Sequence, residues 1–118
     1  MRTVALSLPG AAEKPYNHLP GFRVRQKLFT RIHEEPDAVF VNCEDIAERD
    51  GLLAAEPDKF FITPHYSGYP GMLVRLKAVD TDELAELITE SWRLTAPRKL
   101  VREFDSAEDF DSAEDKAG

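Results

Sequence analysis

Residues 59–76, KFFITPHYSGYPGMLVRL, constrain the fold more than any other stretch of the chain. Two apolar runs, 59–63 and 72–76, are too short to make useful helices and are bounded by Pro and Gly, so they predict strands. The segment between them is rich in His, Tyr, Gly and Pro and predicts a shaped loop joining the pair. At 118 residues the chain has room for one domain and one core around this pair, and not for two.

The remaining elements read outward from that pair. Residues 2–8 predict a short helix, with Val4 and Leu8 on one face and Pro9-Gly10 as its stop. Pro9, Pro15 and Pro20 make the next stretch irregular or an edge strand. Residues 22–34 alternate on both sides of a reversal at Arg25-Gln26. Phe22 and Val24 oppose Arg23 and Arg25; then Leu28, Thr30 and Ile32 oppose Phe29, Arg31 and His33. This period of two predicts a half-buried hairpin, although Arg25-Gln26 is not a favoured pair for a tight reversal. Glu35-Pro36-Asp37 predicts a turn, residues 38–42 a third strand, and Glu44-Asp45 the start of a helix with Ile46, Ala47, Leu53 and Ala54 on its apolar side.

Asp80 followed three residues later by Glu83 forms a capping pattern. Leu84, Leu87, Ile88, Ser91, Trp92 and Thr95 then recur at three- and four-residue spacing and predict a helix over 81–95. Pro97 suits the first position of a further helix, with Leu100, Val101 and Phe104 available for packing. The sum is an α+β domain over residues 1–103, an antiparallel sheet of about five strands backed by helices. The hexapeptide FDSAED at 104–109 recurs at 110–115, and this doubled acidic run predicts a disordered tail over 104–118.

That tail carries most of the formal charge of −7. From Glu103 onward seven of the 22 acids stand beside a single base, Lys116, leaving 15 acids and 14 bases before it. The body is therefore near neutral, and the overall acidity weakens but does not exclude a nucleic-acid partner. No apolar run approaches a membrane span, and residues 1–10 lack a signal-peptide pattern, so a cytoplasmic protein with no membrane contact is expected. The single cysteine, Cys43, leaves no internal disulfide framework.

Five pieces in this order, ALSLPG at 5–10, FRVRQKLF at 22–29, FFITPHYSGYPGMLVRL at 60–76, VDTDEL at 79–84 and APRKL at 96–100, resemble the MmcQ/YjbR family of small bacterial proteins. The resemblance covers roughly residues 5–102. It implies a frataxin-like α+β fold and a role in DNA binding, with β-hairpins as paired wings and no established catalytic machinery. The first helix is shorter than the family's, and the doubled acidic tail is no part of its pattern.

Candidate sites follow from the residues. Arg23, Arg25 and Lys27 on the hairpin, Arg75 and Lys77 on a later strand, and Arg98 and Lys99 at a helix start form a basic set that would contact the phosphates of double-stranded DNA. The competing reading is a solvated face, or ion pairs to nearby acids. A second site would use the loop residues His65, Tyr66 and Tyr69 together with Arg98 to bind a protein or a small ligand. Phe104 and Phe110, inside acidic runs, would let the tail dock on a basic partner or on the body itself. His18, His33 and His65 are scattered and Cys43 stands alone, so no metal is expected. No phosphate loop, nucleophile elbow or zinc motif is present, which predicts a protein that is not an enzyme and uses no cofactor.

Overall fold

Strand pairing, rather than any single element, organises the molecule in a computed structural model that describes the backbone of residues 1–117 and the side chains of residues 1–107. Among these residues the order is α1 (Arg2–Ser7), β1 (Ala11–Glu13), β2 (Gly21–Val24), β3 (Lys27–Ile32), β4 (Ala38–Asn42), α2 (Ile46–Ala55), β5 (Phe60–Phe61), β6 (Gly71–Arg75), α3 (Thr81–Thr95) and α4 (Arg98–Ala117). The strands form one antiparallel sheet in the order β1-β2-β3-β4-β6-β5. It holds six strands rather than about five because part of the Pro-rich segment pairs along the outer edge of β2. The first strand of the expected 59–76 pair is shorter than its apolar run, since Pro64 starts a 3₁₀ turn, Pro64–Tyr66.

Helices cover one face. Phe22, Val24, Phe29, Val41, Phe60, Met72 and Val74 from the sheet meet Ala5 and Leu8 of the first helical segment and Ile88 and Trp92 of α3. The helix-forming signals are local: the Asp80 carboxylate accepts the Glu83 N–H at 2.7 Å, and Asp45 caps α2 the same way through Glu48. Ser91, buried on α3, donates to the Phe29 carbonyl and accepts the Asn42 N–H at 2.8 Å, while the Trp92 indole donates to the Pro9 carbonyl at 3.0 Å. No helix among the described residues is long and apolar enough to cross a membrane.

Two features of the β2–β3 hairpin differ from the alternation expected of it. Arg25 and Gln26 both lie at positive φ, 50° and 70°, so they form a mirror-type two-residue turn that suits the twist of the flanking strands. Arg25 is therefore a turn residue, not a strand residue. Second, Phe22 pairs with Thr30 but Arg23 with Leu28, which leaves Phe29 as an extra residue in β3. The bulge resets the side-chain phase. Phe29 packs in the helix-side cluster, whereas Leu28 packs against Phe40, Tyr66 and Leu73 on the opposite face. Arg31 pairs with Phe40 and shares that second face.

The final helix departs from the expected division at Phe104. Its ring meets Trp92 edge-on at 5.2 Å and Arg93 pairs with Asp105, so the first acidic hexapeptide begins on the body and the backbone continues helical to Ala117. The side chains of residues 110–115, including Phe110 with its expected docking role, lie outside the described residues.

Candidate functional site

The face of the sheet opposite the helices carries a cleft of about 370 Å³ lined by Tyr16, Leu28, Arg31, Phe40, His65, Tyr66 and Tyr69. Its floor comes from neighbouring strands, because the bulge puts Leu28 on this face and the β3–β4 register puts Arg31 opposite Phe40. Its roof comes from the loop after β5. Tyr66 is buried and stacks on Phe40, with ring centres 5.4 Å apart and planes 25° from parallel. Tyr69 stays half exposed at the rim.

Arg31 is the polar centre of this apolar wall. One Nη2–H donates to the Tyr66 hydroxyl at 3.2 Å, Nη1 pairs with Glu34 at 3.2 Å, and the guanidinium carbon lies 4.3 Å from the centre of the Tyr16 ring. Only 6% of the Arg31 side chain is exposed, so pairing and ring contact keep a buried charge satisfied. Tyr16 is brought to it by a tight reversal in which Asn17 and His18 take positive φ, and the Asn17 amide donates to Glu34 at 3.1 Å. The Glu34 backbone N–H, the Asn17 amide and the Arg31 guanidinium together hold the Glu34 carboxyl down at about 2 from its ordinary 4.5. Burial, helped by the Arg31 charge, lowers the pKa of His33, whose Nδ1 accepts the Glu35 N–H at 3.0 Å.

The loop that roofs the cleft is fastened from below by Arg49 of α2. Its guanidinium donates to the carbonyls of Tyr66, Ser67 (3.3 Å), Tyr69 (2.6 Å) and Gly71 (3.4 Å), and it pairs with Asp50 at 3.1 Å. Four acceptors from one six-residue stretch fix the course of the backbone that carries Tyr66 and Tyr69. At Gly71 a Cβ would stand 2.6 Å from Phe40 Cε1, so only glycine lets this strand lie so close to the cleft floor.

The expected loop residues His65, Tyr66 and Tyr69 are thus brought together, and Arg98 is not among the residues that join them. It begins α4, whose Leu100, Val101 and Phe104 pack on the helix side of the sheet, whereas the cleft lies on the opposite face. Tyr16, Leu28, Arg31, Phe40 and Arg49 were not among the expected site residues. Arg49 left a trace in the sequence, falling on the stripe of Ile46 and Leu53 at helical spacing, where a charged residue is out of place.

The basic set divides by place. Arg25, Lys27, Arg98 and Lys99 are exposed and form no ion pair with another described residue. They belong to one end of the sheet: Asn42 bonds both Leu28 and Thr95, and Leu100 and Val24 both approach Gly10. Arg23 is partly buried and donates to the Gln26 carbonyl at 3.0 Å, within its own turn. Arg75 lies 4.0 Å above the Phe61 ring and Lys77 pairs with Asp37 at 3.3 Å. These two sit at the other end of the six-residue β3, roughly 20 Å away.

A second cleft of about 470 Å³ adjoins the first, with Leu28 and Tyr69 as shared walls. Cys43 lines it, and burial raises that thiol to about 11, which keeps it protonated and unreactive near neutral pH. Among the described residues no three His, Cys, Asp or Glu side chains come together in a way that would hold a metal ion.

Comparison with known proteins bears on the fold. A family model described as YjbR matches residues 6–94. The protein named "Uncharacterized protein Rv2570" of Mycobacterium tuberculosis is 43% identical over 82 residues, which is 67% of this chain and 64% of that protein. "Uncharacterized protein Mb2600" of Mycobacterium bovis matches with the same figures, so the chain spans about 64% of the length of these curated relatives. Among solved structures, Deinococcus radiodurans protein DR2400, a domain of family model DUF419, superposes with a TM-score of 0.65 at 22% identity, over 79% of this chain and 73% of that one. At that identity the likeness is one of fold.

Proposed function

The chain belongs to the YjbR family, and on that premise we propose that it is a binding module, without chemistry of its own, for a small flat aromatic molecule held in the Tyr16–Phe40–Tyr69 cleft. The observation that carries this reading is the cleft's make-up. Five aromatic rings (one the His65 imidazole) surround a space of about 370 Å³, and a single buried arginine is held at its edge. Ligand sites are typically concave and apolar with a few placed polar groups, and volumes of roughly 300–1,000 Å³ are usual. Aromatic walls favour a planar guest, since offset or edge contacts between rings add about 0.5–1.5 kcal/mol each beyond area burial. The charged group of the cleft, Arg31, is already engaged by Glu34 and the Tyr66 hydroxyl, which suits recognition more than bond-breaking.

The test is an NMR titration with matched aromatic and aliphatic compounds. Aromatic compounds are expected to shift the side-chain signals of Tyr66, Tyr69 and Phe40. Tyr69→Ala, at an exposed position, is expected to weaken that binding at least tenfold with little change in melting temperature. Shifts that are equal for aromatic and aliphatic compounds, or that bypass these rings, would refute the proposal.

A second reading is DNA association through phosphates. It is favoured by Arg25, Lys27, Arg98 and Lys99 at one end of the molecule, exposed cations that form no ion pair with another described residue. It excludes Arg75 and Lys77, which lie too far off to share a surface with them.

A further inference from the structure

The two adjoining clefts carry complementary chemistry. The first is aromatic and nearly closed to charge, because its arginine is already paired with Glu34. The second, across Leu28 and Tyr69, has Lys27 and Glu44 in its lining. Both are exposed, and neither forms an ion pair or side-chain hydrogen bond with another described residue. Other polar groups of the second cleft are occupied: the Asn42 amide donates to Thr95 at 2.9 Å and to the Leu28 carbonyl at 3.2 Å, and its oxygen accepts the Tyr69 hydroxyl at 3.3 Å. What the second cleft offers a guest is thus one cation and one anion, next to a ring that borders the aromatic cleft.

We infer that the ligand is a dipolar aromatic molecule, an aromatic α-amino acid or a compound ending as one, with its ring in the first cleft and its ammonium and carboxylate between Glu44 and Lys27. This rests on the reading of the first cleft as an aromatic site and extends it by naming the head group. The argument is one of matching. A purely anionic head would meet Glu44 as well as Lys27, and a purely cationic one would meet Lys27, so each would gain from one charge and lose to the other. A zwitterion gains from both. Tyr69 is the partition over which the molecule bends, and its hydroxyl bond to Asn42 holds that partition upright.

The experiment is a chemical-shift titration of the full chain with four probes: L-tryptophan, indole, tryptamine and indole-3-propionate. L-Tryptophan is expected to bind at least tenfold more tightly than each of the other three. Lys27→Met is expected to erase its advantage over tryptamine, and Glu44→Gln its advantage over indole-3-propionate. Unchanged melting temperatures would confirm that both variants fold. If indole shifts the cleft signals and the head groups add nothing, the aromatic reading stands and the dipolar one falls. If neither indole nor tryptophan shifts them, the aromatic reading itself fails. If indole-3-propionate matches tryptophan and Glu44→Gln tightens it, the ligand is a simple anion and the inference is overturned.

Discussion

Ser91 joins three elements with one oxygen. It donates to Phe29 at the β3 bulge, a buried bond, and accepts from Asn42 at the end of β4, a partly buried one. Ser91→Ala leaves a buried carbonyl and a largely buried N–H without partners, at a cost of about 1–3 kcal/mol. Urea unfolding should show the midpoint fall with the slope unchanged; no change would mean that water reaches both groups. Glu34 sets a pH dependence. Its folded pKa, about 2, lies below the ordinary 4.5, so the unfolded chain binds the proton first as pH falls. The stability it contributes is complete above about 4.5 and is lost as pH drops toward 2. Glu34→Gln should flatten this limb of a stability-versus-pH curve, while the lowered His33, protonated more readily when unfolded, keeps its own loss beginning below 6.5.

At the scale of elements, α2 serves the cleft more than the core. Its apolar face is weak, and Arg49 is its buried residue. That side chain turns a short helix into an anchor for the 66–71 backbone, which it holds through four carbonyls. Arg49→Met removes charge-assisted bonds and strands those carbonyls, so a loss of at least about 2 kcal/mol is expected. Hydrogen exchange should report it first, with the amides of residues 67–69 and 71 exchanging at least tenfold faster, and Arg49→Lys should not restore them because an ammonium lacks the fork. Protection equal to that of the unaltered protein would show that the loop holds itself. The helices were legible in the sequence for a local reason. Asp80, Glu83 and the three-and-four spacing to Trp92 lie within one segment, and α3 has the bounds that they predict. The β3 pattern was not legible in the same way, because a single extra residue at Phe29 reverses every side chain beyond it.

For the whole molecule, the sheet acts as a partition. Helices and most of the core lie on one side, and the aromatic cleft lies on the other. This placement took Arg98 away from His65 and Tyr66, and it left Arg75 and Lys77 at the far end from Arg25 and Lys27. If the chain binds duplex DNA, only the near set should matter. Arg25→Gln with Lys27→Gln should weaken binding at low salt, and Arg75→Gln with Lys77→Gln should not. With four cations in contact, the plot of log affinity against log salt should be no steeper than about −4. Equal losses from both pairs would refute a one-ended surface. The sequence alone determined the helix over 81–95, the strand over 38–42 and the helix start at Asp45, and that Phe22, Val24, Ile88 and Trp92 are inside, since capping, turn chemistry and periodicity act over a few residues. Tertiary structure alone decided that Tyr16, Arg31, Phe40 and Tyr66 would share a cleft and that Arg49 would hold its roof. Those residues are far apart along the chain, and only strand register, a bulge and the closure of long loops bring them into contact.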